Sequence, residues 1–130
     1  YNGQEACMDK RLEFFKKDTI NWKTCDLTGF YKQLNKMKKE NKALWNGSYG
    51  GSYKNIKTNK PQKAMAFLRE AGNNSVFVVA NLSEEPAKIS LKGKAYTGEY
   101  KDYFNNETRK FEKKSSVQLE GWGYRVFLKE

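Results

Sequence analysis

From Ser48 onward the chain is cut into short runs of β-type residues, each closed by residues that favour turns. The runs are Tyr49–Ile56, Ala64–Glu70, Val76–Leu82, Ala87–Leu91, Ala95–Phe104, Arg109–Lys113, Ser116–Leu119 and Tyr124–Lys129. Between them lie Gly72-Asn73-Asn74, Glu85-Pro86, Asn105-Asn106 and Gly121, whose backbones or short side chains suit tight reversals. Short strands recurring at such intervals suggest a sandwich or a barrel, and the expectation here is an antiparallel two-sheet sandwich of about eight strands, of Greek-key type. Val76-Phe77-Val78-Val79-Ala80 is apolar on both faces and should lie centrally, covered twice. Ile89 and Leu91 alternate with Lys88, Ser90 and Lys92, which leaves that strand one wet face. In the last run Tyr124, Val126 and Leu128 point one way, with Arg125 and Phe127 opposite.

The first third of the chain follows other periods. Residues 1–25 mix Leu12, Phe14, Phe15, Ile20 and Trp22 with charges and keep no period for long. Over residues 26–43, Leu27, Phe30, Tyr31, Leu34 and Met37 recur at spacings of three and four, so an amphipathic helix is predicted there. Asp26 or Thr28 can cap its start, and the lysines near its end suit the negative end of the helix dipole. At 130 residues the chain can bury a core, and its 8 Phe, 8 Tyr and 3 Trp supply much of it. Two cysteines, Cys7 and Cys25, are too few for a disulfide framework. They could pair across a short loop, but free thiols are the expectation.

The formal net charge is +10, yet only 4 of the 25 basic residues are Arg, the residue favoured for bidentate phosphate contacts. The lysines are spread along the chain, so a solvated surface is expected rather than a nucleic-acid site. No apolar run approaches the roughly 20 residues of a membrane helix. With no histidine, the Ser-His-Asp and Cys-His systems and imidazole metal sites are excluded, which leaves carboxylate chemistry.

Tyr1-Asn2-Gly3-Gln4-Glu5 resembles the Tyr-x-Gly-Gln-Glu segment at the end of the eighth barrel strand in the alpha-amylase family of glycoside hydrolases. The stretch from Arg11 to Trp22 resembles the loop that follows it, with Thr19 in place of the usual proline and Asn21 in place of the usual aspartate. Phe30-Tyr31-Lys32-Gln33-Leu34 to Asn41-Lys42-Ala43-Leu44 resembles the family's final barrel helix, and Asn46-Gly47-Ser48-Tyr49 its exit. Ala66-Phe67-Leu68-Arg69-Glu70, Val76 to Ser83 and Leu119 to Val126 resemble strands of the family's C-terminal domain in order. The resemblance implies that residues 1–45 are the last strand end, loop and helix of a truncated eightfold βα barrel. Residues 46–130 would then be the C-terminal sandwich of a hydrolase acting on α-glucans such as starch, glycogen and maltooligosaccharides.

In that family an Asp nucleophile, a Glu acid/base and a second Asp act with retention, and their motifs precede the segment matched by Tyr1–Glu5. No catalytic residue is therefore expected in this chain, and hydrolysis would belong to the parent enzyme. Glu5 is expected at the barrel rim, as structural support or as a sugar contact. Trp45 and Trp122 are the further substrate-binding candidates, because an indole face packs well on a pyranose ring. The plainer expectation is that Trp22 and Trp45 seal the helix and that Trp122 closes one end of the sandwich. An exposed glucan platform would draw on Tyr49, Tyr53, Tyr96, Tyr100 and Tyr103, making the chain a carbohydrate-binding module. A structural or interaction domain without sugar binding is the third reading. No metal or other cofactor is expected here, since the calcium ligands common in the family would lie upstream. The expected partner is the catalytic barrel of the same polypeptide, which the sandwich would stabilise, with α-glucan as a possible ligand. Deprived of that barrel, the apolar residues of 1–25 are expected to fold back on the sandwich or meet a second copy in a homodimer.

Overall fold

Eight antiparallel strands form where the alternating runs lie: β1 (Ser52–Asn55), β2 (Ala64–Ala71), β3 (Asn74–Asn81), β4 (Ala87–Ser90), β5 (Gly98–Asp102), β6 (Thr108–Phe111), β7 (Ser116–Leu119) and β8 (Tyr124–Lys129). This computed structural model describes residues 1–129. It divides into two compact units, Tyr1–Glu40 and Asn41–Glu130.

The second unit is the sandwich. One sheet has the order β1-β2-β3-β8-β5-β6, and β4 pairs with β7 in the other. The chain leaves the large sheet after β3 and again after β6, and β8 returns to lie beside β5, a Greek-key connection. Register settles which residues face inward. Leu68 pairs with Phe77, and Phe77 with Phe127, so all three project from the same face. Opposite them, Ile89 of β4 pairs with Val117 of β7. Leu68, Phe77, Ile89, Phe111 and Val117 are all buried and share one core with Tyr96 and Tyr100. Tyr96 satisfies its hydroxyl there by donating to the Leu91 carbonyl, 3.1 Å away. Burial and then the charge of Glu70 hold the Tyr100 phenol above its ordinary pKa. These two tyrosines are therefore core residues, and the expectation that they join an exposed platform is corrected. The outer face of β3 is covered only in part. Val76 is buried, whereas Val78 and Ala80 are half-buried. Ala43, in the single 3-10 turn Lys42–Leu44 that contacts β2 and β3, is fully buried.

One buried polar side chain ties the sandwich loops together. Asn81, 1% exposed, donates from Nδ2 to the Glu85 and Glu120 carbonyls at 2.8 and 2.9 Å. Its Oδ1 accepts from the Ser83 amide at 3.2 Å and the Ser83 hydroxyl at 2.8 Å. Every donor and lone pair of the amide is thus used. The turn Gly121-Trp122-Gly123 is pressed against the same loop: a Cβ on Gly121 would sit 1.8 Å from the Glu84 carbonyl oxygen.

In the first unit the amphipathic stretch forms α1 (Asp26–Glu40). Cys25 occupies the cap position, and Thr28 Oγ1 reaches back to accept from the Cys25 amide at 3.0 Å, half of a capping box. Neither Asp26 nor Thr28 is the cap itself, which corrects that expectation. The Thr28 hydroxyl also donates to the Glu5 carbonyl at 2.6 Å, drawing the helix start onto the single turn Gln4–Ala6. Cys7 ends that turn in the left-handed region, φ 51°. These contacts leave the Cα atoms of Cys7 and Cys25 6.2 Å apart, and the two are disulfide-bonded. The expectation of free thiols is overturned: spacing in sequence carries no information on the cap and turn that bring the two residues together.

Three large apolar side chains of the loop between them are exposed. Phe14 is 89%, Phe15 93% and Trp22 65% exposed. The loop holds its shape through Asp18 instead. Its carboxylate pairs with Lys10 and accepts from the Glu13 amide at 2.9 Å. The Lys10 ammonium is the main cause of the lowered Asp18 pKa.

Two outcomes are expected. Asn81→Ala strands the Glu85 and Glu120 carbonyls and should lower unfolding free energy by about 2–4 kcal/mol, read from urea denaturation followed by circular dichroism. Chain unfolded in guanidinium without reductant should show no thiol reactive towards Ellman's reagent. After reduction, amide exchange should rise through residues 4–28, where closing a loop of this size is worth about 3 kcal/mol.

Candidate functional site

Glu5 lies on the Gln4–Ala6 turn, and Oε2 of its carboxylate accepts from the Gly3 amide at 3.0 Å. Glu5 lines a shallow recess with Ala6, Trp22, Lys23, Thr24 and Thr28. Glu5 is half-buried while its neighbour Trp22 is exposed, so Trp22 seals nothing at this position.

Trp45 and Trp122 both belong to the second unit. Trp45 is 40% exposed, with the Lys42 ammonium 5.9 Å from its ring centroid. Its carbonyl accepts from Arg69 Nη2 at 3.2 Å. Trp122 sits in the turn before β8 with a left-handed backbone, φ 56°. Its amide donates to the Ser83 carbonyl at 2.9 Å, and the residue is 66% exposed. It therefore does not close the sandwich end, because the turn is held by its backbone while the side chain faces water.

A different constellation lies on the outer face of the large sheet. Met65, Ala80 and Tyr124 are cross-strand partners in adjacent strands. Phe104 meets Tyr124 edge to face at 5.7 Å between centroids, and Tyr103 meets Phe104 at 5.1 Å. The row ends at a recess of about 340 Å³ lined by Lys101, Tyr103, Asn106 and Leu128. That volume is at the low end of the roughly 300–1,000 Å³ of small-molecule sites.

The reversal that carries Tyr103 and Asn106 is built around Asp102, which is 3% exposed. Its Oδ1 accepts from the Phe104 and Asn105 amides, both at 3.1 Å, and from Asn105 Nδ2 at 2.9 Å. Its Oδ2 accepts from Arg125 Nη1 at 3.0 Å. The Asp102 carbonyl accepts from the Asn106 amide at 2.9 Å, and the Tyr103 amide donates to Val126 at 2.8 Å. Asn106 adopts φ 58°, a conformation asparagine tolerates better than most residues. The reversal is thus fixed from beneath, and both side chains are presented from a rigid frame.

The three substrate-binding candidates named from sequence, Glu5, Trp45 and Trp122, do not lie together on one element: one belongs to the first unit and two to the second. Of the recess residues only Tyr103 is among the sugar-binding candidates read from the sequence. The alternation of Lys101 and Tyr103 before the Asn105-Asn106 reversal could have indicated the others. Among the described residues no group of three or more His, Cys, Asp or Glu is placed to hold a metal ion. Among the described residues no helix is long and apolar enough to cross a membrane.

The profile of the alpha-amylase SusG C-terminal domain matches residues 64–124. No curated protein sequence matches the chain significantly. Among solved structures, the noncanonic maltogenic alpha-amylase AmyB of Thermotoga neapolitana is similar over 98% of this chain, with a TM-score of 0.77 and 17% identity. AmyP, solved with maltose, is similar over 79% with a TM-score of 0.65 and 17% identity. The trehalose-6-phosphate hydrolase TreA of Bacillus licheniformis is similar over 80% with a TM-score of 0.60 and 21% identity. This chain spans 31% of AmyB, 20% of AmyP and 18% of TreA. At such identities the likeness establishes the fold, and the profile match covers just under half of the chain. Residues 64–124 are thus similar to the C-terminal domain of the alpha-amylase SusG.

Proposed function

We propose that this chain is the C-terminal part of an alpha-amylase-like glycosidase acting on α-glucans, in which its sandwich covers and stabilises the catalytic barrel. The profile match over residues 64–124 carries the reading. Residues 1–45 are assigned to the end of that barrel. Support comes from the likeness to AmyB, which extends over 98% of this chain and so reaches well beyond the matched domain. Starch and maltooligosaccharides are the proposed substrates of the whole enzyme.

Hydrolysis is assigned to the rest of the polypeptide. Retention needs two carboxyls about 5–5.5 Å apart in a cleft. Glu5 instead directs its carboxylate to an amide of its own turn. Any calcium the parent enzyme uses is assigned to ligands outside this chain.

Phe14, Phe15 and Trp22 suit a surface that the barrel covers in the parent. In the isolated chain a second copy would cover them, since exposed apolar surface costs about 25 cal/mol per Å².

Purified chain incubated with soluble starch or maltoheptaose should release no reducing sugar, measured by a copper-reduction assay. Activity that co-elutes with the chain through a second chromatographic step would overturn the assignment. Sedimentation velocity should show a concentration-dependent dimer that Phe14→Ser/Phe15→Ser reduces to monomer. A wild-type chain that stays monomeric removes the self-association.

A further inference from the structure

We propose that the recess lined by Lys101, Tyr103, Asn106 and Leu128 is a non-catalytic binding site for α-1,4-linked glucan. The inference rests on the reading of the chain as part of an α-glucan-acting glycosidase and assigns to its sandwich a sugar contact of its own.

The chemistry of the lining is that of a sugar site. A pyranose presents an apolar face of C–H bonds and a rim of vicinal hydroxyls, so it needs an apolar wall beside convergent polar groups. Tyr103 and Leu128 supply the wall. The Asn106 amide both donates and accepts, and can therefore meet two neighbouring hydroxyls at once. The Lys101 ammonium donates to hydroxyl oxygens from the other side. Register places Lys101 directly opposite Leu128, so the cation and the aliphatic wall belong to the same sheet face.

The site is also built in advance. The bonds around Asp102 hold the 103–106 reversal whether or not sugar is present. Little ordering entropy is then lost on binding. Beyond the recess, the Tyr103–Phe104–Tyr124 row continues the aromatic surface for the next sugar ring.

Titration of the ¹⁵N-labelled chain with maltoheptaose, followed by heteronuclear NMR, tests this. Amide shifts should be confined to residues 101–106 and 124–128. Titration should extend to about 20 mM, well beyond an affinity on the order of 1 mM. Tyr103→Ala should weaken binding at least about tenfold. Asn106→Gly, which keeps the left-handed backbone while removing the amide, should also weaken it, with the spectrum otherwise unchanged. Trp122→Ala should leave it intact, and cellohexaose should not compete. Absence of shifts over that range, shifts centred on Trp122 or Glu5, equal binding of cellohexaose, or undiminished binding by Asn106→Gly would each overturn the proposal. Failure here leaves the hydrolase reading standing, because that reading is judged by catalysis and this one by binding to the isolated chain.

Discussion

Phe77 lies fully buried with four aromatic rings around it: Tyr96 at 5.6 Å, Tyr100 at 5.9 Å, Phe111 at 5.2 Å and Phe127 at 5.8 Å between centroids. The neighbours come from β5, β6, β8 and the β4–β5 connection, so one side chain joins distant parts of the chain. Deleting a buried aromatic ring of this kind costs about 3–5 kcal/mol. The small sheet β4-β7 depends on this cluster, because two four-residue strands could not persist alone in water. Ile89 and Val117 bury their side chains on the aromatic layer, and the sandwich closes around it.

With the core settled, the surface is arranged by two buried polar groups. Asn81 gathers the β3–β4 loop and the β7–β8 turn onto one amide. Asp102 does the same for the β5–β6 reversal and anchors it to Arg125 of β8. A carboxylate buried this deeply persists because its oxygens are met by amides and a guanidinium. The outcome is a sandwich in which exposed Trp122 and the half-buried Tyr103 and Phe104 stand on loops braced from below, with Tyr124 at the start of β8 beside Phe104. Fixed loops of this sort suit contact with a rigid partner, whether sugar rings or a protein surface.

Much of this architecture was legible in the chain. All eight strands overlap the alternating runs, although β2, β3 and β6 extend one or two residues beyond them and β1 is exposed along its length. The amphipathic stretch folded as α1 but stopped at Glu40, after which Asn41 caps a separate single turn by accepting from the Ala43 amide at 3.0 Å. The site was less legible. Tyr96 and Tyr100 read as surface candidates because a tyrosine tolerates either environment, and only strand order sends them inward. Trp122 read as a plug because tryptophan is apolar, although its two flanking glycines fix the turn by backbone alone.

The β-rich class, the strand count, the helix and the likeness to an amylase C-terminal region follow from local periodicity and residue order alone. The Cys7–Cys25 bond, the inward turn of two tyrosines and the meeting of Lys101, Tyr103, Asn106 and Leu128 in one recess come from the fold. Each of these depends on which segments become neighbours. Neighbourhood is set by sheet order, by caps and by buried polar groups such as Asp102, and none of these has a period to read. Tyr1-Asn2-Gly3-Gln4-Glu5 shows the contrast. Its letters suggest a barrel strand's end, while its folded form is a single turn bound through Glu5 to Gly3 and Thr28.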